Sequence, residues 1–363
     1  MDIKLQQVTY QDIIEGKMVE GDDYHLYQHS FIDLRKEIFL KNPSLTDYSS
    51  VAAYLVKAGD IIVGHLFPFP TRMKVGDKII NATSASDLFV IEEYEKYAAG
   101  ADLVMAPIRE RRNDAVILAD ISAEGMGCYH AFRFIDFALP KMLHPHSSKF
   151  IYQNFGIKGI LLKVLCVITD LFLKPLSSFN VFRLRRFAKK FEIVKLSEVP
   201  TWVDEMVLND GHKYMEVHDH KWLQWCIDNC FSSDDSHKKN FYAIVNNNKK
   251  PIGFFLNAVR TATIPARNIK EMKQGTLMEW GSYDESKLSE LDITKLAMAS
   301  MPDDVSLSQF ATSNPRVIKK MRKYGFFHHN YHHVVFKDCK KQFKDAKNPS
   351  QWRLRFGYAD SLF

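Results

Sequence analysis

The feature that most constrains this chain is an order of elements that occurs twice. In the first half, residues 51–56 and 61–67 read as strands around the turn Ala58-Gly59-Asp60. Pro68 and Pro70 are expected to end the second strand, because proline has no N–H to give a ladder. After the turn Val75-Gly76-Asp77-Lys78, residues 79–90 read as a long strand. Residues 94–111 have helical spacing, with Tyr97, Ala101, Val104 and Ile108 on one side. A short apolar strand over 115–121 follows, then a helical pattern from 126 that breaks down around Pro140 before 143. The second half repeats the order. Strands at 241–245 and 252–259 flank Asn246-Asn247-Asn248-Lys249-Lys250, then come a strand at 276–283, a helix at 288–299, a strand at 305–310, a helix at 314–324 and a closing strand at 326–336. This is an α/β (α+β, mixed-sheet) pattern duplicated in architecture without visible sequence identity. The expected division is a first domain at 1–150, a linker at 151–190, a second domain at 191–338 and a tail at 339–363.

The 363 residues are 46% hydrophobic and 25% charged, which excludes a disordered, collagen-like or coiled-coil chain. Five cysteines, an odd and scattered set, suit a reducing compartment better than a disulfide framework. No secretory leader is visible in Met1-Asp2-Ile3-Lys4-Leu5, so the cytoplasm is the expected address.

Charge is segmental. The total is +6, but residues 1–150 carry −5, residues 151–190 carry +7 with Asp170 as the only acid, and the remainder carries +4. This distribution argues against a nucleic-acid partner. Within the basic segment, Ile157, Ile160, Leu161, Val164, Leu165, Ile168, Leu171 and Phe172 form a broad apolar helical face. Arg183, Arg185, Arg186, Lys189 and Lys190 follow it. Two readings compete: a helix packed between domains with its basic end facing the acidic first half, or a membrane-surface contact through 157–190. The first is favoured, since a two-domain chain needs a linker with something to bury.

One local motif is sharp. Ser313-Asn314-Pro315-Arg316 opens a helix after the strand at 305–310, and Gly325-Phe326 closes it. Asn supplies a cap for orphan amides, and Gly serves the exit. In the first half, the strand ending Asp87-Leu88-Phe89-Val90 is followed by Glu95-Lys96-Tyr97-Ala98-Ala99-Gly100 at a helix start. Together with the order of elements, these residues resemble the GNAT acyl-CoA N-acyltransferase superfamily over most of 20–138 and 190–336. In that family an Arg/Gln-x-x-Gly-x-Gly/Ala turn binds the coenzyme A pyrophosphate with backbone amides. Here Gly100 matches the last position, Ala98 replaces the first Gly, and Glu95 stands in place of Arg or Gln.

The resemblance implies two GNAT-like domains in tandem. It implies an N-acyltransferase using acetyl-CoA, or another acyl-CoA, as co-substrate and moving the acyl group to an amine. Small molecules, amino sugars and peptide-like acceptors are all open. The implied cofactor contacts are Leu88, Phe89 and Val90 on the strand, and Lys96, Tyr97, Ala98, Ala99, Gly100 and Ala101 at the turn. Asp87 and Glu124 are the candidate bases. The second domain has Asp284 and Glu285 where amides should face a polyanion, so the first domain is expected to hold the cofactor. The family's tyrosine acid, seven residues after Asn314, is replaced by Met321; in the first half Tyr129 and His130 are nearby. The alternative reading is a catalytically degenerate GNAT-fold binding protein. His328-His329-Asn330-Tyr331-His332-His333 reads as a polar sheet edge rather than a metal site, because only alternate residues of a strand share a face. Trp222, Trp225 and Cys226 read as core.

Overall fold

The computed structural model describes residues 3–17, 38–59, 61–110, 113–119, 121, 123–148, 160–229, 237–264 and 269–357. The chain order begins β1 (Ile3–Thr9), α1 (Tyr10–Ile14), β2 (Val51–Ala58), β3 (Ile61–Val75), β4 (Lys78–Val90), α2 (Glu92–Glu95), α3 (Ala99–Arg109), β5 (Ala115–Ala119), α4 (Ala123–Ala131), β6 (Ile135–Pro145). It continues α5 (Ile160–Ala188), β7 (Glu192–Leu196), α6 (Trp202–Leu208), β8 (Tyr214–Glu216), α7 (His220–Asp228), β9 (His237–Val245), β10 (Pro251–Ile264), β11 (Ile269–Ser282). The last elements are α8 (Glu290–Ala299), β12 (Leu307–Ala311), α9 (Pro315–Met321) and β13 (Phe327–Asp338).

These elements form two compact units that interleave in sequence. The first contains Met1–Ala138, Gly211–Ser233 and His333–Phe363; the second contains Leu139–Asp210 and Asp234–His332. The linear division at 150, 190 and 338 rests on composition and element order, and tertiary contacts group the chain differently. In the first unit the strands are ordered β1-β2-β3-β4-β5-β13, with β8 added against β3. In the second the order is β6-β12-β11-β10-β9-β7. Each unit is therefore closed by a strand from the other half of the sequence. Residues 334–338 of β13 lie antiparallel to β5, and residues 141–145 of β6 lie antiparallel to β12.

Two strand expectations are corrected. Pro68 and Pro70 do not end β3, which runs on to Val75 and pairs with β4 at both prolines. β2 pairs with β3 only from Ile61 to Leu66, so a missing N–H on the other edge breaks no ladder. The stretch around Pro140 is the strand β6, not a broken helix. The helix expected over 94–111 is split into α2 and α3, with Ala98 between them in the left-handed region at φ 62°.

The first unit's core packs Leu103, Val104 and Ala106 of α3 on Val56, Val63, Val116 and Leu118. Residues 211–229 join it from the second half: Trp222 and Trp225 pack on Phe69, and the Trp225 indole donates to the Ile38 carbonyl. The tail also joins this unit through Trp352, which stacks on Phe137, Tyr214 and Phe343. The second unit's core gathers Phe255, Leu277, Trp280, Leu296, Phe310, Val317 and Phe326 around Leu184 of α5.

Candidate functional site

In both units a long central strand leaves its parallel neighbour after three residues. β4 pairs with β5 only at Ala82, Thr83 and Ser84, then continues six residues to Val90. β11 pairs with β12 only at Gln274, Gly275 and Thr276, then continues six residues to Ser282. Ser84 thus corresponds to Thr276, Asp87 to Glu279, and Val90 to Ser282. The hairpin partners agree. A Cβ on Gly64 would stand 2.9 Å from the Phe89 carbonyl oxygen, and one on Gly253 would stand 2.9 Å from that of Gly281. Both hairpins also carry a register shift a few residues beyond this glycine, between His65 and Phe67 and between Leu256 and Asn257. The two units share one strand arrangement.

The copies differ in what fills the divergence. In the second unit β11 is buried through its last six residues, and Glu279 is fully enclosed, accepting from the Trp280 amide at 2.9 Å. In the first unit, burial stops at Ser86, and Asp87, Leu88, Phe89 and Val90 are half-exposed. Asp87 takes φ 50°, a left-handed conformation that Asp tolerates better than most residues. His65 stacks on Phe89 at 5.5 Å beside it.

The following helix starts differ too. At α3, Ala98 is the N-cap, in the left-handed region, and its methyl provides no hydrogen bond to the orphan amides. The conformation is one for which glycine is the natural residue. The Gly100 Cα faces Val90, whose Cγ2 would be 3.7 Å from an added Cβ, so strand end and helix start adjoin. Lys96 lies over the Tyr97 ring at 5.1 Å. Glu92, Glu93 and Glu95 on α2 and Asp102 in the first turn of α3 make the surroundings acidic. At α8 the second unit supplies its own caps. Ser289 accepts from the Asp292 amide, and the Asp284 carboxylate accepts from the Ser286 amide and hydroxyl at 2.9 and 2.6 Å. The Ser286 hydroxyl first, then Lys287, hold that carboxyl down to about 2.

Of the residues singled out from sequence, Asp87, Leu88, Phe89, Val90, Lys96, Tyr97, Ala98, Ala99, Gly100 and Ala101 form this one strand end, connection and helix start. Glu124 lies in α4, and its side chain is outside the described residues. Tyr129 is buried in the first unit's core, edge-on to Phe134 at 5.2 Å, and Met321 is buried in the second's. Neither position presents a tyrosine hydroxyl to a cleft.

One pair was missed by sequence reasoning. His333 Nδ1 lies 2.9 Å from Asp136, with His130 Nε2 at 3.7 Å from the same carboxylate. β4 and β13 flank β5 and both meet Ile117, through Ser84 and Phe336. Asp87 and His333 each lie three residues beyond that level, toward the same end. The run of histidines is visible in the sequence, but no local signal ties His333 to a carboxylate 197 residues away. The neighbouring His332 is fully buried, and His328 stands against the Tyr331 ring at 4.7 Å.

A separate cleft of about 590 Å³ opens where β2 and β3 part, lined by Thr9, Asp47, Tyr54, Pro70, Thr83 and Glu110 among others. It adjoins the opposite end of β4 from Val90, roughly 23 Å away along the strand.

No protein-family profile and no curated protein sequence matches the chain. Solved structures do. N-myristoyltransferase of Saccharomyces cerevisiae, with bound myristoyl-CoA and inhibitors, superposes with a TM-score of 0.58 at 10% identity, over 93% of this chain and 80% of that one. A GCN5-related N-acetyltransferase from Anabaena variabilis gives 0.53 at 10% identity, over 93% and 73%. One from Kribbella flavida gives 0.51 at 10% identity, over 92% and 70%. The chain has the GNAT fold, built of two GNAT-like units in tandem.

Proposed function

We propose that this protein is an acyl-CoA-dependent N-acyltransferase that holds one coenzyme A, in its first unit. The observation that carries the reading is the contrast between the copies. Only the first keeps its diverging strand end half-exposed and its helix start without a side-chain cap. Pantetheine would pair with the backbone of Leu88, Phe89 and Val90. The pyrophosphate would meet the amides of Ala99, Gly100 and Ala101, where the helix dipole favours negative charge. Lys96 offsets part of the repulsion from Glu92, Glu93 and Glu95.

The reaction is direct transfer. The acceptor nitrogen attacks the thioester carbonyl, the C–N bond forms, the C–S bond breaks, a base takes the proton released by nitrogen, and the thiolate leaves to be protonated. Asp87 and His333, the latter oriented by Asp136, are the groups proposed to handle these protons. Acetyl is the simplest acyl group, and a small-molecule amine or amino sugar the simplest acceptor. One S. cerevisiae neighbour was solved with bound myristoyl-CoA, so acyl length is part of the test.

The experiment is calorimetric titration of the whole protein with acetyl-CoA and longer acyl-CoAs, followed by an amine screen read by free-thiol release. One acyl-CoA per chain and amine-dependent thiol release are expected; no binding, or two per chain, overturns the reading. A second reading, a binding protein without catalysis, draws on the buried Tyr129 and Met321. It would give the same stoichiometry with no thiol release from any amine.

A further inference from the structure

α5 runs for 29 residues, and its opposite faces have different surroundings. One face is tied into the second unit. Leu184 enters that unit's core, and Ser177 and Asn180 are buried. The Arg183 guanidinium donates to the Lys323 carbonyl at 2.7 Å, and Asp170 accepts from the Ser148 amide at 2.7 Å. A Cβ on Gly325 would meet the Asn180 amide nitrogen at 2.7 Å, so this packing is close.

The other face carries Ile160, Leu161, Val164, Val167, Ile168, Leu171, Phe172, Leu176, Phe179 and Phe182, all exposed. Phe172 is 75% and Ile160 is 80% accessible. Between Val164 and Ala188 an 18-residue window has mean hydropathy 1.4 and is only 11% buried. A soluble helix has no reason to display a stripe of that length to water.

The rim of the stripe identifies its partner. Beyond Phe182 come exposed Arg186, Lys189 and Lys190, and exposed Arg185, which pairs with Asp303 at 2.5 Å. Arg183 lies 4.6 Å over the Tyr324 ring, which places the end of α5 against a second basic segment. That segment contributes exposed Arg316, Lys319, Lys320, Arg322 and Lys323. The only acid in 151–190 is Asp170, already bound to Ser148 and Lys174.

We propose that α5 docks this protein on an anionic lipid surface. Its apolar stripe enters the headgroup–acyl boundary, and the basic rim meets lipid phosphates. A second copy of this chain is the poorer occupant, because pairing the stripes would bring two basic rims together. A membrane span is the poorer geometry, because Ser177, Asn180 and Leu184 are built into the second unit and would have to leave it. This inference does not depend on the catalytic reading.

The test is vesicle flotation of the full chain with phosphatidylcholine alone and with 3:1 phosphatidylcholine/phosphatidylglycerol, at low and physiological salt. Binding to the anionic vesicles that weakens with salt is expected, with little binding to neutral ones. Arg186→Gln, Lys189→Gln and Lys190→Gln should each lower partition about fivefold. Leu171→Ser with Phe172→Ser should abolish it while leaving the melting temperature unchanged, since both side chains face water in the free protein. Several outcomes overturn the proposal. They are equal binding to both vesicle types, resistance to alkaline carbonate extraction, no vesicle binding by a monomer, or a concentration-dependent dimer lost in the Leu171/Phe172 variant.

Discussion

The starts of α3 and α8 sit at corresponding places in two copies of one architecture, and they have opposite local chemistry. At α8 the chain caps itself with Ser289 and fills the turn with the Asp284 carboxylate. At α3 the cap residue is Ala98, held left-handed with no side chain to donate or accept. The strand before α8 is sealed, and the strand before α3 is half-open. A duplicated fold can keep its scaffold while one copy spends its backbone groups on itself and the other leaves them for a ligand. Capping and ligand binding compete for the same amides.

The largest expected effect separates the units by pH. In the second unit His144 is buried and His146 half-buried. His144 is pushed down to about 3 by burial and then by His146, and His146 to about 4 by burial. His146 bridges the Ser177 and Ser308 hydroxyls at 2.7 and 2.8 Å. Both histidines fold neutral, so an unfolded chain with the ordinary value of 6.5 binds protons that the folded chain refuses. Their cost is absent above pH 6.5 and grows as pH falls toward the folded values, reaching roughly 3–4 kcal/mol for the pair by pH 5. Urea unfolding at pH 7 and 5 should show this loss, and His146→Gln should remove about half the slope. A pH-independent stability would contradict the burial argument.

Next come the paired glycines. Gly64→Ala and Gly253→Ala should each destabilise by about 2–3 kcal/mol, because each new methyl meets a backbone oxygen 2.9 Å away. Only Gly64→Ala should also weaken acyl-CoA binding, since Phe89 belongs to the proposed pantetheine strand. Equal losses of binding in both variants would erase the functional difference between the units.

A comparable effect is expected at the cofactor turn. Gly100→Glu should cut acyl-CoA affinity about a hundredfold, or about 2.7 kcal/mol, by setting a carboxylate beside the pyrophosphate. Gly100→Ala should be mild, as its methyl finds only Val90 at 3.7 Å. Unchanged affinity in a folded Gly100→Glu protein would remove the site from α3.

The smallest effect tests the missing glycine directly. Ala98→Gly should stabilise the protein by about 0.5–1 kcal/mol by relieving the left-handed alanine, with acyl-CoA affinity equal or higher. Thermal melts with and without acetyl-CoA measure both.

Much of the fold was legible because its signals are local. Gly76 closes the β3–β4 hairpin at φ 60°, Asn314 caps α9 through the Arg316 amide at 3.0 Å, and Gly325 exits at φ 80°. The strand β1 was not legible: its exposed Lys4, Leu5 and Gln7 break the alternation that marks a half-buried strand. β7 hid for the same reason, since no residue in it is fully buried. The proposed cofactor turn could be located from its small residues, whereas the Asp136–His333 pair could not, because β6 and β13 carry no signal of their proximity.

By itself the sequence determined most of the helices and the central strands of each half, the duplicated order, and the carboxylates Asp284 and Glu285 at the second copy's turn, since spacing, caps and turn residues act over a few positions. Only the tertiary structure decided which unit each closing strand joins, that two prolines sit harmlessly in β3, and that the apolar face of α5 is exposed among the described residues. Those outcomes depend on edges and faces contributed by residues far apart in the chain, and no local preference encodes which surface will find a partner.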